Sequence, residues 1–178
     1  METFTYKEIL QQPSCWVKEY EVLLEEKARI QAFLEKYLTN ETDIVLTGAG
    51  TSAFIGDAIA PLLRGVWKNV RAVATTDIVT NAADYLAADK PLLLISFARS
   101  GNSPESVAAV NLANAICKNV AHIYITCNKN GHLAKSANAE NILSLLLPEE
   151  TDDKSLAMTS SFSTMLLTCL MISQIDHI

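Results

Sequence analysis

Hydrophobic positions divide the chain into two kinds of segment. Over residues 15–38, Trp16, Val17, Tyr20, Leu23, Leu24, Ile30, Phe33, Leu34 and Tyr37 recur mostly at steps of three and four. That spacing, with charges between, predicts an amphipathic helix. Ser14 is placed to cap it. Beyond residue 40 the pattern changes. Nearly continuous apolar runs at residues 44–47, 70–75, 91–97, 120–126 and 142–147 predict strands covered on both faces. Helical patterns lie between and after them, at 53–67, near 77–85, at 104–118, briefly at 132–138, and at 160–174. Strands alternating with helices predict an α/β fold: a three-layer, doubly wound, five-stranded parallel sheet. The expected organisation is a helical segment over residues 1–40 and one domain over 41–178. The last helix is apolar nearly all round, with Met165, Leu166, Leu167, Leu170, Met171, Ile172 and Ile175. Such a helix needs cover on more than one side. A partner subunit, or the remainder of a larger design, is expected to supply it.

In a parallel sheet, ligands sit beyond the carboxyl ends of the strands, so three loops draw attention. The first, Gly48-Ala49-Gly50-Thr51-Ser52, follows the first strand and opens a helix. Its glycines let the backbone approach an anion, and the helix start points free N–H groups at the same place. The second is "SFARSGNSPES", in which Ser100, Asn102 and Ser103 crowd donors beside a helix start and Gly101 relaxes the turn. Ser103 and Pro104 also suit plain capping. The third is the long polar stretch 148–163, where Thr159, Ser160 and Ser161 precede the last helix. The first loop also fits the dinucleotide fingerprint G-x-G-x-x-A through Gly48, Gly50 and Ala53. That reading wants a carboxylate about 20 residues on, at the end of the second strand, to hold a ribose. The strand ends Ala74-Thr75-Thr76, and Asp77 reads better as a helix cap. Several hydroxyl-lined loops suit a phosphate monoester better, because neutral donors at a helix start satisfy its oxygens.

Charge narrows the partners. The formal net charge is −6, from 20 acidic and 14 basic residues, which argues against nucleic acid. The apolar run 165–172 is interrupted by Thr168 and is too short to span a bilayer, so no membrane role is expected. Cys15, Cys117, Cys127 and Cys169 form no C-x-x-C pair and have few histidines near them. Reduced thiols are expected, with no metal. The start of the chain is unlike a signal peptide, and a cytoplasmic location is expected.

The strings "LTGAGTSAFIGD", "TTDIVTN", "LLLISFARSGNSPESVAAVNLAN" and "AMTSSF" resemble sugar isomerase (SIS) domains. More narrowly, they resemble the galactosamine-6-phosphate deaminase family, whose members are also labelled tagatose-6-phosphate ketose/aldose isomerases. The resemblance implies a flavodoxin-like sheet that binds a hexose or hexosamine 6-phosphate without metal or redox cofactor. By position, Ser52, Ser100 and Ser103 would contact the phosphate. Gly50, Thr51, Gly101 and Asn102 would shape the loops, and Thr159, Ser160 and Ser161 would close from the third. Arg99 stands where other SIS enzymes often carry a smaller polar residue; it either neutralises charge at the site or is solvated. The family's enzymes carry two such lobes, with Glu, Lys and His of the second supplying acid–base chemistry. This sequence resembles the first lobe, so a second lobe or a homo-oligomer is expected as partner.

An aldose–ketose shift or a deamination moves a proton between neighbouring carbons and needs a base and an acid. His132 is a rim candidate that also reads as a surface or capping residue. His122 lies inside a strand, His177 in the tail, and Glu149 and Glu150 in a polar loop. No pair stands out, and the catalytic residues stay unassigned. The expected function is the phosphosugar-binding lobe of an amino-sugar-phosphate deaminase/isomerase. It would serve conversion of galactosamine 6-phosphate to tagatose 6-phosphate, or aldose–ketose isomerisation of a hexose 6-phosphate. The alternative is a non-catalytic sugar-phosphate sensor.

Overall fold

The computed structural model describes residues 3–178. A 34-residue helix, α1 (Phe4–Tyr37), comes first. It starts well before the expected Ser14 cap: Thr3 is the N-cap, its Oγ1 accepting from the Tyr6 amide at 3.3 Å. Pro13 therefore lies inside the helix. It has no N–H for the carbonyl four residues back, and the Gln12 side-chain amide donates to that Ile9 carbonyl instead, at 3.0 Å. Ser14, far from capping, donates its hydroxyl back to the Gln11 carbonyl at 2.7 Å.

The rest alternates as β1 (Asp43–Gly48), α2 (Ala53–Leu63), β2 (Val70–Ala72), α3 (Thr75–Thr80), α4 (Ala82–Tyr85), β3 (Leu92–Ala98), α5 (Pro104–Ile116), β4 (Val120–Thr126), α6 (His132–Lys135), β5 (Ile142–Leu146) and α7 (Ser160–Ser173). Short 3-10 turns occupy Gly50–Ser52 and Glu149–Thr151. All five strands are parallel, in the order β2-β1-β3-β4-β5. Every residue of β3, the central strand, is buried, as a strand covered on both faces requires. One face, through Ile44, Leu46, Ile95, Phe97, Ile123 and Leu145, packs on α1, α2 and α7. The other, through Val45, Leu94 and Tyr124, packs on α3 and α5. The α/β three-layer expectation holds.

Several boundaries differ from the pattern. Strand β2 stops at Ala72, and Thr75 opens α3 while its hydroxyl donates to the Gly48 carbonyl at 3.1 Å. Asp77 lies in the first turn of α3 rather than at its cap, which is Ala74. Helix α2 ends at Leu63, and a tighter turn carries Trp67 back into the core. The helical pattern near 77–85 is two short pieces broken at Asn81. The cover for α7 comes from within the chain: α1 and α2 flank it, and every residue from Ser160 to Ser173 is buried or half-buried. Apolar surface is instead exposed on α1, at Tyr6, Leu10, Val17, Tyr20 and Leu24.

Candidate functional site

Strand order decides where a ligand crevice can open. Strands β1 and β3 are neighbours, with Gly48 in register with Phe97. The helix after β1, α2, turns to one face of the sheet, and the helix after β3, α5, turns to the other. The two loops diverge there, which is the switch point of a doubly wound sheet. Both loops singled out by their glycines and hydroxyls leave the sheet at this position.

In the first loop, Gly50 has φ +56° and nothing within 4 Å of the place where a Cβ would stand. Glycine is required there by the backbone turn and not by crowding. Gly50 and Thr51 are exposed. Ser52 is buried, with its hydroxyl 3.9 Å from Met158 Sδ of the third loop.

The second loop is held from below by the segment after β4. The Arg99 carbonyl accepts from the Cys127 amide at 3.2 Å, and the Ser100 carbonyl from the Asn128 side chain at 3.2 Å. The Gly101 carbonyl accepts from the Leu133 amide, and Asn102 Oδ1 from the His132 amide at 2.8 Å. Ser100 Oγ accepts from the Asn102 amide at 3.3 Å, which leaves its own hydrogen free to donate. Ser103 caps α5: its oxygen accepts from the Ser106 amide, and its hydrogen goes to Ser106 Oγ at 2.6 Å. Sequence reasoning missed Gly131. A Cβ there would lie 2.4 Å from the Ser100 carbonyl, so the glycine admits the second loop; the signal was a glycine before a one-turn helix.

The third loop departs from expectation. Ser160 and Ser161 are fully buried and donate their hydroxyls to Asp153, Ser161 at 2.6 Å. The Thr159 and Ser161 amides donate to the same carboxylate, each at 2.9 Å. Asp153 thus holds the anion position at the start of α7. Ser160 and Ser161 build that cap, their hydroxyl hydrogens engaged by Asp153. Burial pushes the Asp153 carboxyl up, but the hydrogen bonds from Ser160, Ser161 and Thr159 outweigh it and hold it below its ordinary range. Thr159 Oγ1 is buried without a partner among the described residues. The Arg99 guanidinium donates from Nη1 to the Ser155 carbonyl at 3.2 Å. Arg99 is therefore engaged with this loop rather than simply solvated.

No acid–base couple forms among the described candidates. His132 is exposed at the start of α6. His122 is fully buried, paired through Nε2 with Asn114 at 2.9 Å, and burial pushes its pKa down to about 4. Glu149 and Glu150 are exposed, and Glu150 pairs with Lys18. All four cysteines are free and buried; burial pushes the Cys127 thiol, beside the second loop, up to about 12, so it stays protonated at neutral pH. A cavity of about 230 Å³ lies at the ends of β4 and β5, lined by Cys127, Asn128, Lys129, Glu149, Asp152 and Lys154 among others. It adjoins the switch point but is not over it. No helix among the described residues is long and apolar enough to cross a membrane.

Comparison with known proteins agrees with this geometry. The family profile of the SIS domain matches residues 37–173. The chain is 51% identical over 173 residues to D-galactosamine-6-phosphate deaminase AgaS of Escherichia coli, covering 96% of this chain and 45% of the relative. It is 45% identical over 175 residues to the protein of that name from Shewanella, covering 95% and 45%. The crystal structure of tagatose-6-phosphate ketose/aldose isomerase from Escherichia coli superposes with a TM-score of 0.94 at 50% identity, over 98% of this chain and 48% of that one. The chain spans about half the length of these relatives. The parallel sheet, the glycine-hydroxyl loops at its switch point and the extent of these matches lead to one assignment: the chain belongs to the SIS domain family.

Proposed function

We propose that this chain is the phosphosugar-binding lobe of an amino-sugar-phosphate deaminase/isomerase. The ligand is a hexose or hexosamine 6-phosphate. The reaction served is conversion of galactosamine 6-phosphate to tagatose 6-phosphate with loss of ammonia, or an aldose–ketose isomerisation of a related phosphate. One observation carries the reading. At the β1–β3 switch point the first and second loops leave the sheet side by side, and each runs into a helix start that carries a serine, Ser52 at α2 and Ser103 at α5. A phosphate monoester fits such a place, because its oxygens accept several hydrogen bonds and its charge suits the positive ends of both helices. In this reading Ser52 and Ser100 meet the phosphate, Ser103 joins them by turning its hydrogen away from Ser106 Oγ, and Gly50, Thr51, Gly101 and Asn102 shape the loops. Thr159 faces the sugar from the third loop, and Arg99 offsets charge. The proton transfers at C1 and C2 belong to groups outside this chain, on a second lobe or a second copy.

Calorimetry with galactosamine 6-phosphate and with galactosamine tests the reading. The phosphorylated sugar should bind far more tightly. Ser52→Ala and Ser100→Ala should each weaken it by about 1–3 kcal/mol, the cost of removing a donor to a charged group. Equal affinity for the two sugars, or unchanged affinity in both variants, would reject the assignment of the loops. Release of ammonia by the 178-residue chain alone would reject the placement of the chemistry elsewhere.

A further inference from the structure

Helix α1 lies almost wholly outside the residues that match the family, yet it reaches the third loop. Glu8, in its second turn, is only 5% exposed. One of its carboxylate oxygens accepts from the Lys154 amide at 2.6 Å and from the Ser155 amide at 3.1 Å. The other accepts from the Ser155 hydroxyl. The carbonyl of the same Ser155 receives the Arg99 guanidinium. One residue of the loop is thus bound on its amide side by Glu8 and on its carbonyl side by Arg99. Gln11, one turn further along α1, donates to the Glu150 carbonyl at 2.8 Å and to Ser160 Oγ at 2.9 Å. Met158, three residues past Ser155, lies against Ser52.

Buried carboxylates are costly unless their oxygens are filled, and here main-chain amides and a hydroxyl fill them. The loop has few other anchors at this point: Leu156 is 98% exposed and Ala157 is exposed. Without Glu8, nothing else described binds the amides of Lys154 and Ser155.

We propose that Glu8 is a positioning residue for the phosphosugar site: through Ser155 it fixes the loop after β5 and, with it, the direction of the guanidinium of Arg99, the first residue past the end of β3. The proposal rests on the reading given above and adds a residue about 146 positions distant in sequence from its loop partners. Glu8 touches no sugar; it acts through Ser155 and Arg99.

The test is a two-residue cycle on the 178-residue chain: Glu8→Ala, Arg99→Ala and the double variant, with Glu8→Gln as the conservative change. Calorimetry with galactosamine 6-phosphate reads binding, and thermal melting reads stability. Glu8→Ala and Arg99→Ala should each weaken binding roughly tenfold, the size expected for losing a hydrogen bond to a charged group. The double variant should bind no worse than Arg99→Ala alone, because Glu8 works through Arg99. Its loss of thermal stability should nonetheless exceed that of Arg99→Ala. Glu8→Gln, which keeps a carbonyl acceptor, should recover part of the affinity. Unchanged or tighter binding in Glu8→Ala would overturn the proposal and leave the site reading intact, as would fully additive losses in the double variant. Failure of the unaltered chain to prefer the phosphorylated sugar would instead overturn the site reading, and the proposal with it.

Discussion

Glu19 shows how far a single residue can depart from what its letter suggests. It sits on the charged side of a helical pattern, yet it is 1% exposed, pressed between α1 and α7. Thr168 Oγ1 donates to one oxygen at 2.9 Å, and the other has no partner among the described residues. Burial pushes its pKa up to about 8 from an ordinary 4.5, the bond from Thr168 opposing only in part. The sign of the linkage follows. Below about pH 4.5 the carboxyl is protonated whether the chain is folded or not, and it carries no penalty. As pH rises toward 8 the unfolded chain releases the proton while the folded one keeps it, so stability falls across that window, by an amount on the order of a few kcal/mol. Urea titrations at pH 5 and pH 8 should show the decline. Glu19→Gln should flatten it and raise stability at pH 8. Equal slopes for the two proteins would show that the carboxylate reaches water. Asp153 is the opposite case. Its carboxylate is matched by four donors at the start of α7, so Asp153→Ala should lower stability by about 1–3 kcal/mol, read by the same titrations. Neither residue was legible as buried, because burial of a charge depends on what the fold brings to it. The partner of Ser160 and Ser161 was hidden for the same reason: hydroxyls at a helix start serve a ligand or a loop carboxylate equally well, and here they donate to Asp153.

At the scale of elements, the strands were the most legible. Four of the five apolar runs end within a residue or two of the observed strands, since a strand covered on both faces must be apolar throughout. The fifth, β2, is an edge strand whose last residues leave the sheet once Thr75 finds the Gly48 carbonyl. Helix α1 was legible only in part. Pro13 and Ser14 read as its start, but packing of Glu8, Gln11 and Gln12 against the third loop and α7 extends it a further three turns. Proline inside a helix costs up to about 3 kcal/mol relative to alanine, and the Gln12 amide offsets part of that here. Pro13→Ala should therefore stabilise the protein by about 1–2 kcal/mol, visible as a higher melting temperature. No gain would mean that the proline is needed where α1 meets its neighbours.

For the whole molecule, the contacts of α1 bear on how the chain divides. A helical segment over 1–40 followed by one domain over 41–178 was the expectation. Leu23, Ile30, Phe33 and Leu34 of α1 belong to the same core as Met165, Cys169 and Ile172 of α7. Removing residues 1–37 would uncover that face, and the remaining fragment should unfold without a cooperative transition or aggregate. A sharp melting transition for the fragment would show that the helix is an appendage. What the sequence determined by itself were local matters. The apolar runs specify strands, the alternation specifies a parallel sheet, and Gly50 and Ser103 specify turns and caps that neighbouring residues alone can satisfy. Tertiary structure decided the rest. It chose the strand order that sets β1 beside β3 and makes their ends the switch point, the burial of Glu8 and Glu19, and the engagement of Arg99 with Ser155. Each joins residues far apart along the chain. Spacing carries a local hydrogen-bond partner, but which distant group fills a lone pair is known only once the layers have packed.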